Sequence, residues 1–235
     1  HAVVAFYPAR GQMRLFLGQQ ETDRLLAVPG AWLSRGKRQA LYSAELAACD
    51  DLDGAVDGII SNVAACNATF NPFTAVVNGK RLRCKGGRDV SDSCLSDLQI
   101  ATLRKLNAPY HFAFALRSGA TEFPGYNVFT SDLGRIESKV GTGATKRLQL
   151  ENEVSFLALG DIPPSSPTRS GMSISVIFND GYLRYGILRD PEFDFLDFNP
   201  SQPGRYLQRI QEMSKIDAYD KDLTAFAKRG GKLII

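Results

Sequence analysis

The sequence predicts an α+β chain whose two ends carry α/β syntax, and three observations lead there. An apolar run from Ala2 to Tyr7 has the composition of a buried parallel strand. A second run, Leu233 to Ile235, is entered through a helix-like segment and the pair Gly230-Gly231, the order helix, turn, strand that α/β sheets use. Between the two, helix-capping signals alternate irregularly with aromatic, β-prone stretches, which is not a regular βαβ series. With 235 residues, 44% hydrophobic and 23% charged, the chain can fill one large domain or two small ones around a real core.

In chain order, Met13 to Ala27 reads as an amphipathic helix stopped by Val28-Pro29-Gly30. Ser34 can cap a second helix from Arg35 to Ala48. Ser96 with Gln99 three residues on has the spacing of a capping box and opens a helix to about Asn107. Tyr110 to Leu116 and Ser173 to Phe178 are expected as β-prone segments. Residues 118–146, rich in Gly, Ser and Thr, and the proline-rich residues 162–167 are expected as irregular loops. Arg205 to Lys215 reads as a helix, as does Asp222 to Arg229, with Asp220 as its candidate N-cap and Gly230 as its stop.

The densest chemical signal lies between Cys49 and Ile60. Asp50, Asp53 and Asp57 stand at spacings of three and four, interrupted by Gly54 and Gly58. Carboxylates that close repel one another unless a cation lies between them, and the glycines let the backbone turn its carbonyl oxygens inward. An all-oxygen, irregular donor set suits calcium. An EF-hand is excluded: the twelfth position is Ser61 or Asn62 instead of Glu, and the sixth is Ala55 or Val56 instead of Gly. The plain alternative is an acidic, solvated turn.

Four cysteines, Cys49, Cys66, Cys84 and Cys94, allow three connectivities. Nearest-neighbour pairing would cinch the acidic loop with one bridge and a Gly-rich loop with the other. No CxxC occurs and the histidines are only His1 and His111, which argues against zinc. Disulfides beside a calcium loop would point to an oxidising compartment; four reduced structural cysteines are the alternative.

Other functions are disfavoured. A net charge of +3, scattered along the chain, does not argue for nucleic acid. No apolar stretch reaches the roughly 18 residues of a membrane span, so a soluble chain is expected. The chain opens on His1 without a signal-peptide pattern, so a piece of a longer precursor is expected. No G-x-S-x-G elbow is present, and His111, between Tyr110 and Phe112, reads as a core or loop histidine. Asp190, Asp194 and Asp197 read as turn and capping residues, and Asn67-Ala68-Thr69 is a glycosylation sequon relevant only in a eukaryotic secretory host.

The run from Cys49 to Ile60 with Cys66 behind it resembles the tannase and feruloyl esterase family of secreted α/β-hydrolases. Cys94-Leu95-Ser96-Asp97-Leu98-Gln99, Phe123-Pro124-Gly125, Asp222-Leu223-Thr224-Ala225-Phe226 and Arg229-Gly230-Gly231-Lys232-Leu233 resemble further family segments in the same order. The resemblance implies an α+β lid domain inserted in an α/β-hydrolase, with the terminal strands belonging to the parallel core sheet. Residues 1–8 would be a core strand, 9–215 the lid with its calcium loop at 49–60, and 216–235 the helix and strand returning to the core. It also implies calcium held by the side chains of Asp50, Asp53 and Asp57 and the carbonyls of Ala55 and Ile59. The implied disulfides are Cys49–Cys66 and Cys84–Cys94.

In such a family the catalytic Ser, His and acid would lie outside this chain, which alone would be inactive. The implied partners are the hydrolase core of its own parent chain and, in the intact enzyme, an aromatic-acid ester, with neither nucleic acid nor membrane. The compartment would be extracellular or periplasmic. Arg169, Met172 and Ser173 are candidate substrate contacts, because Arg169-Ser170-Gly171-Met172-Ser173 loosely resembles a lid segment that meets an acid-bearing ring; Phe178, with Tyr182 and Tyr185, is a further candidate, core packing being the alternative for these aromatics. A free-standing calcium-binding structural or interaction module is the alternative reading.

Overall fold

Local signals place most of the helices. In the structure, a computed structural model describing residues 2–4, 11–133, 159–217 and 222–234, the first elements are β1 (Ala2–Val4), α1 (Gln12–Ala27), α2 (Arg35–Cys49) and α3 (Val63–Thr69). They are followed by β2 (Val76–Val77), β3 (Lys80–Arg81), α4 (Asp97–Asn107), β4 (Tyr110–His111) and β5 (Glu122–Phe123). The last are α5 (Ile174–Gly181), α6 (Leu207–Met213), α7 (Thr224–Lys228) and β6 (Lys232–Ile234). The Ser34 hydroxyl accepts the Lys37 N–H at the start of α2. At α4 both bonds of the capping box form: the Gln99 N–H donates to Ser96 Oγ at 3.2 Å and the Ser96 N–H to Gln99 Oε1 at 2.9 Å.

Three short strand pairs form among the described residues. The two ends meet: β1 and β6 pair in parallel, Ala2 opposite Lys232 and Val4 opposite Ile234. Gly230, at φ 72°, ends α7 in a left-handed turn that a residue with a side chain rarely adopts. Asp222 accepts the Thr224 N–H ahead of α7, while the expected cap Asp220 lies outside the described residues, as do 134–146 of the expected loop.

Two expectations need correction. Ser173 to Phe178 is not a strand: Ser173 caps α5 through the Ser175 N–H, and the helix runs on into π-helical turns at Tyr182–Leu188. Its β-branched residues suggested a strand, but Val176, Asn179 and Asp180 fall on one helical face buried in the molecule. Only Tyr110 and His111 of the 110–116 stretch are in a paired strand, antiparallel to Glu122–Phe123. The His111 ring is 73% exposed beside Glu122, so this histidine sits on the surface and not in the core.

Two apolar clusters divide the interior. One gathers Leu33, Leu41, Leu95, Ile100 and Leu103 from the α2–α4 half; the other gathers Met13, Leu17, Leu183, Ile187, Phe195 and Ile210 from the α1–α5 half. Helix α1 has no cap of its own. The Asp217 carboxylate supplies one from far along the chain, accepting the N–H groups of Gln12 at 2.8 Å and Met13 at 2.5 Å.

The middle of α1 buries polar side chains, contrary to a simple amphipathic pattern. Gln20 donates to the carbonyls of Phe195 and Phe198. The Asn179 amide donates to Gln20 Oε1 and Asp23 Oδ2, Gln19 donates to Asp23 Oδ1, and the Tyr126 hydroxyl donates to Gln19. Arg38, also buried, donates to the carbonyls of Leu133 at 3.0 Å and Gly160 at 2.9 Å, while the Trp32 indole donates to the Leu159 carbonyl.

Asp23 is fully buried, and desolvation outweighs its two amide donors and raises its pKa from 3.8 to about 7. The unfolded chain gives up this proton near pH 3.8 and the folded chain holds it to about 7, so the contribution of Asp23 to stability is full below pH 3.8 and is lost as pH rises through about 7. In calorimetric melting across that window the wild type should lose stability relative to Asp23→Asn, which lacks this proton. An unchanged pH profile in the variant would refute the assignment.

Candidate functional site

The acidic loop is built where α2 runs out. Cys49 closes the helix, Asp50–Asp53 make one 3₁₀ turn, and Gly54 (φ 92°) and Gly58 (φ 81°) reverse the chain. No atom lies within 4 Å of a Cβ built on either glycine, so it is the backbone angle and not space that requires them. Cys49 and Cys66, both fully buried, are joined 17 residues apart, and Cys84 and Cys94 form the second bridge, the pairing that the resemblance implies.

Each of the three aspartates turns onto backbone N–H groups. Asp50 accepts from Gly58 at 3.0 and 3.3 Å. Asp53 accepts from Ala55 at 3.0 Å and, eight residues on, from Ser61 at 2.9 Å. Asp57 accepts from Ile59 at 3.0 Å. The Ser61 and Ala55 N–H groups hold the Asp53 carboxyl below the usual carboxylate range, so it is anionic at neutral pH. The Tyr42 hydroxyl pins the Gly58 carbonyl from α2, and the Asn62 amide pins that of Leu52.

The donor set consists of oxygens alone, which fits a hard cation and not zinc. The loop is at the surface, with Val56 83% and Ile59 60% exposed. Among the described residues no three acidic side chains converge at metal-holding distance. The chemistry of the site fits calcium, whereas its carboxylates are folded onto the backbone.

The candidate substrate contacts do not share one environment. Met172 and Ser173 are buried, the first with its sulfur 3.4 Å from the Arg169 N–H and the second as the cap of α5. Arg169 is exposed, and so is Phe178, at 55%. Ile177 and, in the π-helical turns that follow, Tyr185 are exposed like Phe178. Asp190 and Asp194 cap turns at Glu192 and Leu196, as expected.

Residues 13–235 match the family described as "Tannase and feruloyl esterase". The chain belongs to this family. Among tannase and feruloyl esterase relatives, an uncharacterized esterase of Agrobacterium fabrum is 30% identical over 88% of this chain. The mono(2-hydroxyethyl) terephthalate hydrolase of Piscinibacter sakaiensis is 29% identical over 83% of it. A probable feruloyl esterase B-2 of Aspergillus terreus is 26% identical over 99%. The chain spans about a third of their length: 32%, 32% and 35%. The crystal structure of feruloyl esterase B from Aspergillus oryzae shares the fold over 99% of this chain and 38% of its own, at a TM-score of 0.63 and 17% identity.

The Cys49–Cys66 bridge closes a loop of the size for which chain-entropy arguments give roughly 3 kcal/mol. Replacing both cysteines by alanine should lower the denaturation free energy by about that much. Replacing Cys84 and Cys94, a shorter closure, should cost somewhat less. Urea titrations of both variants test the order.

Proposed function

We propose that this chain is the calcium-binding, disulfide-stapled lid of a secreted or periplasmic ester hydrolase acting on aromatic-acid esters. The observation that carries the reading is the parallel pairing of β1 with β6 at the two ends of a mostly helical chain. Adjacent parallel strands need a crossover between them, and a long helical insertion is an enlarged crossover. The match to about a third of each relative supports it.

In this reading the attacking Ser, its His base and the orienting acid come from the rest of the parent chain and form an acyl-enzyme in turn. The lid excludes bulk water and walls the acyl ring. Arg169 and the exposed Phe178 are the side chains available for ring and carboxylate contacts, while buried Met172 and Ser173 hold the segment's shape. Asp50, Asp53 and Asp57 with the carbonyls of Ala55 and Ile59 would hold calcium, whose charge there would offset the repulsion of the carboxylates and lock the loop. Two disulfides favour an oxidising compartment.

Calcium at a hundred times its Kd should stabilise the chain by about 2.7 kcal/mol, which at this size raises Tm by roughly 5–10 °C. Chelator should reverse the rise, and Asp53→Ala should remove the response. A calcium-independent Tm in the wild type would refute the metal site.

For the catalytic reading, the chain alone should not hydrolyse methyl hydroxycinnamates above background, whereas the intact parent should, and loss of the parent's nucleophilic Ser should abolish it. Hydrolysis by the chain alone would overturn the lid assignment.

A further inference from the structure

The stretch from Lys80 to Arg88 carries Lys80, Arg81, Arg83, Lys85 and Arg88 in nine positions, in a chain whose whole net charge is only +3. The acidic residues beside it are consumed internally. Asp89 takes the buried Lys37 ammonium at 2.8 Å and the Gln99 amide at 3.0 Å. Asp92 accepts from Ser34 at 2.7 Å, and Asp97 holds Arg83 through two bonds of 2.6 and 2.7 Å. Lys80, Arg81, Lys85 and Arg88 are exposed, and no hydrogen bond or ion pair engages their side chains among the described residues.

These four cations stand on a rigid base. The Cys84–Cys94 disulfide closes it, and backbone bonds Cys84 N–H to Leu95, Leu95 N–H to Leu82 and Leu82 N–H to Ala75, of 2.8 to 2.9 Å, tie it to its neighbours. The Lys37 ammonium also donates to the carbonyls of Ser91 and Cys94. Little backbone freedom remains to be lost on binding, which favours a preorganised surface. Beside Lys80 and Arg81 lies a cleft of about 190 Å³ that mixes the polar Ser43, Asn78 and Ser93 with the apolar Ala40, Val77 and Leu82.

We propose that this surface docks a carboxylate-bearing polysaccharide, a linear polyanion of the polyuronate kind. The cations meet spaced carboxylates, and the hydroxyl and amide groups of the cleft meet sugar hydroxyls. Base stacking, which single-stranded nucleic acid would need, finds no exposed large ring on this stretch among the described residues. Phe73 already carries the guanidiniums of Arg104 at 5.1 Å and Arg83 at 6.0 Å, and the large exposed apolar side chains nearby are Val76 and Val90.

Affinity electrophoresis of the chain in polygalacturonate, with neutral xylan as the parallel gel, tests the proposal. Retardation is expected in polygalacturonate alone and should vanish near about 0.3 M NaCl, where the screening length falls to a few ångströms. Lys80→Gln, Arg81→Gln, Lys85→Gln and Arg88→Gln together should weaken it about tenfold. Lys105→Gln, Arg117→Gln, Lys228→Gln and Arg229→Gln, an equal change in charge elsewhere, should leave it within about twofold. The double variant Lys85→Glu, Arg88→Glu, at two exposed loop positions, repeats the test if the quadruple variant melts abnormally. Equal loss in both quadruple variants, equal retardation in xylan, or stronger binding to anionic lipid vesicles or single-stranded DNA would overturn it. No ester is cleaved in this assay, so its outcome is independent of the lid reading.

Discussion

Helix α1 is held in place by hydrogen bonds to parts of the chain that fold far from it in sequence. Asp217, 205 positions away, caps its first turn, and Gln20 reaches carbonyls at Phe195 and Phe198, 175 and 178 positions away. A capped helix start satisfies donors that burial would otherwise leave unpaired, and each buried amide must find its partner or cost the full desolvation penalty. The α5 region, the 195–198 turn and the 214–217 turn are therefore fixed relative to one helix by polar bonds, and the apolar cluster of Met13, Leu17, Leu183 and Ile210 closes around them. Directional bonds of this kind select one arrangement where apolar contact alone would tolerate several.

This dependence explains what the sequence disclosed and what it hid. Helices α2 and α4 announce themselves because their caps, Ser34 and Ser96, lie beside them. The cap of α1 lies at Asp217, and no local pattern connects the two. Gln19, Gln20 and Asp23 look like the wet side of an amphipathic helix, yet they are buried because Asn179 and two carbonyls await them. The stretch Ser173 to Phe178 departs from its local pattern for the same reason. Its β-branched residues lean toward strand, and the decision comes from packing against α1.

The acidic loop was legible in residue type and in its disulfide frame, since cysteines and glycines at fixed spacing constrain the backbone directly. The direction of each carboxylate was not legible, because backbone N–H groups compete for the same oxygens a cation would use. The basic stretch from Lys80 to Arg88 is a complementary case. Its charges are visible in the sequence, but only the structure reveals that Lys37, Ser34 and Arg83 take up the neighbouring carboxylates and leave four cations without a counter-charge among the described residues.

Arg38 has a consequence of another kind. Its guanidinium grips the carbonyls of Leu133 and Gly160, and the Leu159 N–H reaches the Leu133 carbonyl, so the residues on either side of 134–158 are fastened to each other and to α2. The scaffold thus ends in a closed gateway that does not depend on what passes between its posts. Closing a chain at its base costs entropy only slowly with length, about 0.6 kcal/mol for each doubling, so the stability of this core is nearly indifferent to how many residues separate the two fastened points. A single buried arginine is the side chain on which that closure rests.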